Sequence, residues 1–139
     1  MATTTISKHA NGTDSGWIKL SNNETVYTGD IMYRKIGNRV DVCFFGLSVV
    51  TEFVPGSSNL DLGTLPTEYR PGSDYPSGVT GRHHVTFPVR VYIGGTVNNN
   101  FTYSGTVFDW GTIRLYFDKN LTPTIPTIAT ISGAVSFLT

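Results

Sequence analysis

The chain has 139 residues, a formal net charge of zero and a charged fraction of only 14%, against a usual figure of about 25%. This length suits one domain with a real hydrophobic core. The charge balance argues against a surface for nucleic-acid phosphates, and no apolar run approaches the roughly 20 residues that span a bilayer. The opening residues lack a charged segment followed by an apolar one, so we expect no signal peptide.

The composition favours β-structure. Thr, Val, Ile, Phe and Tyr are plentiful, and these residues suit a pleated, half-buried surface. Apolar residues nowhere repeat at the spacing of an amphipathic helix. Cys43 is the only cysteine, so an intrachain disulfide framework is excluded.

The first elements are a polar segment and a hairpin. Residues 1–15 are polar and lack periodicity, and we interpret them as a linker or the end of a stem before one domain at residues 16–139. Trp17–Leu20 predicts a short strand and Ile31–Ile36 a longer one. The pair Gly37-Asn38 is typical of a two-residue hairpin loop.

That loop fixes the register of the hairpin, because side chains directly opposite each other lie on one face of a sheet. Ile36 should oppose Arg39, and Arg34 should oppose Asp41 as a cross-strand ion pair. One face should be core, with Ile31, Tyr33, Val40, Val42 and Phe44. The opposite, mixed face should carry Met32, Arg34, Ile36, Arg39, Asp41 and Cys43, and it suits a contact between subunits.

The middle of the chain predicts strands around a long loop. Phe45–Phe53 either continues the hairpin strand or begins another, and Leu60–Leu65 is a short apolar strand. The segment Thr67–Gly78 has little strand character, and loops of this length are usually functional or disordered. His84–Ile93 alternates well, and Pro88 within it predicts an edge strand or a bulge because proline cannot donate to a ladder.

The remaining segments predict a second hairpin and a closing strand. Phe101–Trp110 and Thr112–Phe117 flank the turn Asp109-Trp110-Gly111, and Ile128–Leu138 ends the domain. Short strands joined by turns at this spacing indicate an antiparallel β-sandwich or a β-barrel.

The sequence contains no strong catalytic or cofactor motif. It has no phosphate-binding loop, nucleophile elbow or zinc-protease helix. His83 and His84 are adjacent and would point to opposite faces of a strand, so they would not share a metal. Nothing pairs Asp74 with Asp109 as a glycosidase would require. We therefore predict no enzyme activity, no catalytic residue, no metal and no cofactor.

A saccharide-binding surface is better supported. Sugar rings stack on aromatic side chains, and neighbouring acids, amides and cations hydrogen-bond their hydroxyl groups. Trp110 lies on a hairpin turn, where exposing a large apolar ring needs a reason. The alternative for Trp110 is a hydrophobic plug beneath its loop. The candidate binding residues are Tyr69, Arg70, Asp74, Tyr75, Arg82, His83, Asp109 and Trp110.

Three segments resemble the C-terminal head domains of bacteriophage tail-fibre and receptor-binding proteins. They are Met32-Tyr33-Arg34-Lys35-Ile36-Gly37-Asn38-Arg39-Val40-Asp41-Val42, Leu62-Gly63-Thr64-Leu65-Pro66-Thr67-Glu68-Tyr69-Arg70-Pro71, and the ending Gly133-Ala134-Val135-Ser136-Phe137-Leu138-Thr139. With Gly16-Trp17 they cover most of residues 16–139. The matched segments are scaffold, so no binding residue is carried over from the family.

The resemblance implies an antiparallel β-sandwich, a jelly-roll-like and homotrimeric head, at the tip of a fibre or baseplate protein of the virion. Its partners would be the rest of the tail fibre and a bacterial cell-surface glycan or other host receptor, without nucleic acid or membrane insertion. Host recognition without catalysis is the preferred function. The alternatives are a structural cap that trimerises a fibre and, less favoured, a surface polysaccharide depolymerase.

Overall fold

The computed structural model describes residues 13–21, 26–52, 60–73, 83–93, 96–97, 103–117, 125, 127 and 129–139. Within these ranges the chain forms ten β-strands and a 3-10 helix at Thr67–Tyr69. The strands are β1 (Ile18–Lys19), β2 (Tyr27–Thr28), β3 (Ile31–Ile36), β4 (Arg39–Val49), β5 (Leu60–Thr64), β6 (Val85–Ile93), β7 (Thr96–Val97), β8 (Tyr103–Val107), β9 (Thr112–Phe117) and β10 (Ala129–Leu138). None of the described helical residues forms a segment long and apolar enough to cross a membrane.

The strands are antiparallel and follow the spatial order β1-β3-β4-β10-β6-β8-β9-β5, with β2 on β4 and β7 on β6. Strand β6 belongs to two sheets. Its first half, Val85–Pro88, pairs with β8, and its second half, Val89–Ile93, pairs with β10. We call β1, β3, β4, β10 and the second half of β6 the larger sheet. The first half of β6 with β8, β9 and β5 is the smaller sheet. The predicted all-β sandwich is confirmed.

The predicted β3–β4 hairpin is confirmed residue by residue. Ile36 pairs with Arg39 and Arg34 with Asp41, around Gly37 at a φ of 60°. The inward side chains are buried and belong to one core that joins both sheets. Those core positions on the hairpin are Ile31, Tyr33, Val40, Val42 and Phe44.

Residues 13–15 continue the larger sheet beyond β1. The amide of Ser15 donates to the carbonyl of Lys35 at 2.9 Å, and the amide of Gly37 donates to the carbonyl of Thr13 at 3.4 Å. The domain boundary at residue 16 stays a prediction. The structure adds that the last residues of the proposed linker are hydrogen-bonded to the domain.

Strand β4 continues as one strand through Val49 and contains a β-bulge. Phe44 pairs with Gly133 and Leu47 with Ile131, so Phe45 and Gly46 together oppose the single residue Ser132. Gly46 has a φ of 67°, which suits glycine in such a bulge. Its amide donates to the Ser132 hydroxyl at 2.8 Å. The displaced Phe45 side chain is 75% exposed.

Pro88 lies where β6 changes its neighbour. It pairs with Ser104 of β8, and the ladder with β10 begins at the next residue, where Val89 pairs with Gly133. The expected edge strand is not found, since β6 lies inside the strand order, and the bulge of the larger sheet lies in β4 instead. The missing proline N–H falls at the junction of two ladders, where it interrupts neither.

Phe87 fills the space between the two sheets beside this junction. Its ring meets that of Phe44 edge to face, with ring centroids 6.1 Å apart. It lies over Gly105, where an added Cβ would collide with the ring, and close to Gly133. Gly105 is therefore required by the volume of the Phe87 ring, and Gly133 by the rings of Phe44 and Phe87 together, rather than by an unusual φ.

Gly105→Ala should destabilise the domain by roughly 1–3 kcal/mol, because the new methyl group overpacks the core at Phe87. Urea unfolding measures the change. Gly46→Ala is the matched control, since its methyl group meets open space and only the positive φ opposes it. We expect about 1 kcal/mol there. A Gly105→Ala protein as stable as the parent would contradict this packing.

Candidate functional site

The β8–β9 turn presents Asp109 and Trp110 at one end of the smaller sheet. The Phe108 amide donates to the Thr112 carbonyl at 2.9 Å, and the Gly111 amide donates to the Phe108 carbonyl at 2.8 Å. Gly111 has a φ of 97°. A side chain there would lie 2.7 Å from the Leu65 carbonyl oxygen, so glycine lets the turn dock against that segment.

Three aromatic rings form a cluster on this turn. Trp110 is 43% exposed and stacks on Phe108 with a centroid distance of 4.3 Å and an interplanar angle of 13°. The His84 ring stands edge-on to both, at 4.7 Å from Phe108 and 5.2 Å from Trp110. Because the indole is partly exposed, it is not a buried plug. Because it stacks on the buried Phe108 ring, it is not a free side chain either. We call Phe108, Trp110, His84 and Asp109 the Trp110 cluster.

Asp109 is held by two residues that lie just before β6. Its amide donates to Nδ1 of His84 at 3.3 Å, and its carboxylate accepts the amide of His83 at 3.5 Å. An acceptor Nδ1 places the proton of the neutral His84 ring on Nε2. The turn and the start of β6 are thus fixed to each other, which orients the indole before any ligand arrives.

The structure brings together some of the predicted site residues. His83, Asp109 and Trp110 lie together, and Nε of Arg70 donates to the Leu65 carbonyl at 2.8 Å beside Gly111. The Tyr69 ring instead packs edge-on against Tyr33 at 4.9 Å and joins the core. Predicted site residues Asp74, Tyr75 and Arg82 lie outside the described residues.

Three residues outside the predicted binding set also contribute to this surface. His84 and Phe108 were not expected there, whereas Arg114 was expected to face outward and to serve a groove or a subunit interface. Its guanidinium carbon lies 5.0 Å from the Phe108 ring centroid. Arg114 also pairs with Asp61 through bonds of 2.6 and 3.3 Å. Phe108 and Trp110 lie in the turn after β8 rather than on a strand, so strand alternation gives no signal for the stacking of their rings.

No three His, Cys, Asp or Glu side chains come together as a metal site in the part of the chain that the structure describes. The absence of a metal and of a cofactor stays a prediction.

A second functional candidate is the outer face of the larger sheet, which carries Arg34, Asp41, Cys43, Ser136 and their neighbours. Asp41 accepts bonds from Arg34 Nε at 3.0 Å and from the Ser136 hydroxyl at 2.7 Å. Arg39 Nε lies 3.2 Å from the same carboxylate, so the predicted Arg34–Asp41 pair is part of a larger network. Arg34 also lies over the Trp17 ring, 4.6 Å from its centroid.

This network determines the ionisation of Asp41. Partial burial raises the pKa of the carboxyl, but the hydrogen bonds from Ser136 and Arg34 and the charges of Arg39 and Arg34 outweigh burial and hold it below its ordinary value. Burial, with the Asp41 charge, raises the pKa of the neighbouring Cys43 thiol. The thiol is therefore protonated and poorly reactive at neutral pH.

Exposed apolar side chains are concentrated on the outer face. Trp17 is 48% exposed, Phe45 75% and Leu138 54%. Two adjacent depressions lie there and share Phe45 and Ala134. The first, of about 570 Å³, lies beside Trp17 and Asp41, and the second, of about 490 Å³, extends from Phe45 towards β6.

Comparison with known proteins gives a structural match. No family model and no curated protein matches the chain. Among solved structures, the head domain of phage bIL170, described as a receptor-binding domain of lactococcal phages, superposes with a TM-score of 0.61. The match covers 88% of this chain and 96% of the phage domain at 20% identity. The chain has the fold of a phage receptor-binding head. The fold that the sequence resemblance implied is thereby confirmed.

The Asp41 network should make stability sensitive to acid. The folded-state pKa lies below the unfolded value of about 3.9, so the ionised carboxylate stabilises the fold above that pH. Its contribution is lost as the pH falls through the folded-state pKa. Asp41→Asn should therefore lose less stability than the parent between about pH 5 and pH 2. Urea unfolding across this range tests the difference, and parallel curves would contradict it.

Proposed function

We propose that this chain is the host-recognition head of a bacteriophage tail fibre or baseplate protein, binding a bacterial cell-surface saccharide without modifying it chemically. The similarity to the bIL170 head domain over nearly the whole of both chains supports the attachment role and a place in the virion. The Trp110 cluster, an exposed ring on a rigid turn, supports a saccharide as the ligand.

The geometry of the cluster suits stacking by a sugar ring. The indole is already oriented by Phe108 and His84, so little side-chain freedom is lost on binding. His84 with its proton on Nε2 offers a donor, and the Asp109 carboxylate offers an acceptor. Asp109 also braces the turn through two neighbouring histidines, and this favours a binding role over one as a catalytic acid.

We also propose that the head is a homotrimer and that a neighbouring copy covers the Trp17 and Leu138 part of the outer face. These large apolar side chains are half exposed in one chain. Arg34 and Arg39 both contact the Asp41 carboxylate, so a neighbour that covered this part would leave each guanidinium beside a carboxylate, with a net charge of +1 on the three side chains together. Three copies would raise the avidity of weak individual sites.

The Trp110 cluster borders this part of the outer face. A depression of about 270 Å³ lies between His83, His84 and Leu138. A neighbour packed on Leu138 would therefore stand beside the cluster. Such a position supports a binding site at the edge of the interface between subunits.

Trp110→Ala should lower adsorption of the head to susceptible bacteria by about ten-fold or more, as expected for the loss of a central aromatic contact. Fluorescently labelled head and flow cytometry measure adsorption. Trp110→Phe, which keeps an aromatic face, should retain most of it. The control is Val50→Ala, because both parent side chains are 43% exposed. Equal adsorption by all variants would refute the assignment of the site and favour a structural cap.

The oligomeric state is tested separately by light scattering. The parent should have about three times the chain mass of 15.2 kDa. Leu138→Asp should give monomers, because the substitution buries a carboxylate in the proposed interface. Val50→Asp places the same charge on another exposed apolar position and should stay trimeric. A monomeric parent would refute the trimer.

A further inference from the structure

The second depression on the outer face has the composition of a ligand-binding cleft. Phe45 and Tyr92 line it from opposite sides, Ser132, Gly133 and Ala134 form its floor, and Arg90 stands beside Tyr92 on β6. Ser132 pairs with Arg90 and Thr130 with Tyr92. The residues of the floor have small side chains, so the two aromatic walls stand above it and leave about 490 Å³ between them.

The bulge in β4 places the Phe45 wall. Two residues of β4 face one residue of β10, and this extra residue turns Phe45 outward to an exposure of 75%. The Gly46 amide freed from the ladder is bonded to the Ser132 hydroxyl in the cleft floor. The backbone next to the projecting ring is therefore tied to the cleft floor.

Arg90 distinguishes this cleft from the adjoining part of the face. Arg34 and Arg39 contact Asp41, whereas no carboxylate or carbonyl among the described residues pairs with the exposed Arg90 guanidinium. A second copy packed over Arg90 would bury a charge that this chain does not compensate. An anionic ligand would instead form bidentate, charge-assisted hydrogen bonds with the guanidinium.

We propose that the cleft of Phe45, Tyr92 and Arg90 is a second saccharide site, separate from the Trp110 cluster, for a glycan that carries an acidic group. The sugar ring packs between Phe45 and Tyr92, and its carboxylate or phosphate pairs with Arg90. The choice of a saccharide rests on the proposed host-recognition function, whereas the negative charge follows from Arg90 alone.

Isothermal titration of the whole chain with two probes and their uncharged forms tests the cleft. The probes are an oligogalacturonide with its methyl-esterified form, and a phosphorylated mannan oligosaccharide with its dephosphorylated form. At least one acidic probe should bind about ten-fold or more tightly than its neutral form. The pair that responds identifies carboxylate or phosphate as the preferred group. Failure of both acidic probes to bind would overturn the proposal.

Variants then assign the site. Arg90→Gln and Phe45→Ala should each weaken binding of the acidic probe by about ten-fold, and Arg90→Lys should weaken it less. Lys19→Gln removes an exposed cation at the far edge of the same sheet and should leave binding unchanged. Unaltered binding in Arg90→Gln or Phe45→Ala would overturn the assignment.

Two further readouts separate the possible failures. If Phe45→Ala or Arg90→Gln changed the mass measured by light scattering, the cleft would be an interface between copies and the proposal would fail. Adsorption to bacteria that depends on Trp110, in a head that binds neither acidic probe, would overturn the second site alone. Loss of adsorption in the Phe45 and Arg90 variants, with unchanged mass and circular dichroism, would support it.

Discussion

The packing of Phe87 against Gly105 and Gly133 is the constraint on which both candidate surfaces depend. Phe87 lies where β6 leaves the smaller sheet for the larger one. Its ring occupies the volume that Gly105 leaves open and shares with Phe44 the volume beside Gly133. Because β6 is shared, its start and its second half are positioned by the same contact. The start of the strand brings His84 to the Trp110 turn, and the second half brings Arg90 to the outer face. A change at the junction would therefore disturb two surfaces that share no residue.

The parts of this fold that sequence predicts well are those fixed by neighbouring residues. A two-residue loop leaves the β3–β4 hairpin one register, and alternation then assigns each side chain to a face. The Arg34–Asp41 pair follows from that register without any knowledge of the other strands. The core positions of β6 and β9 follow from alternation in the same way, with Val89, Val91, Ile113 and Leu115 buried.

The parts that sequence did not predict depend on contacts between distant segments. At the bulge beside Phe45 the Gly46 amide donates to the Ser132 hydroxyl 86 residues away, and no local pattern contains that partner. Similarly, the sequence predicts a loop around Tyr69, yet Tyr69 ends a 3-10 helix and its ring packs against Tyr33 of the hairpin. The turn at Asp109 and Trp110 was predictable because turn residues are a local property, whereas the sequence left open whether the indole is exposed or buried. The residue that orients them, His84, lies 25 residues away from Asp109.

Only 14% of the residues are charged, so the presence or absence of an ion-pair partner for each cation distinguishes one part of the surface from another. The Trp17 part of the outer face combines exposed apolar area with guanidinium groups that already contact a carboxylate, and such a surface is suited to being covered by protein. A few residues away the apolar area continues at Phe45, but the cation beside it has no described partner. Covering that part with another copy would require the copy to supply an anion at a fixed position. A mobile, charged ligand meets the same requirement with less geometric demand, so charge pairing, rather than apolar area, separates the proposed interface from the proposed cleft.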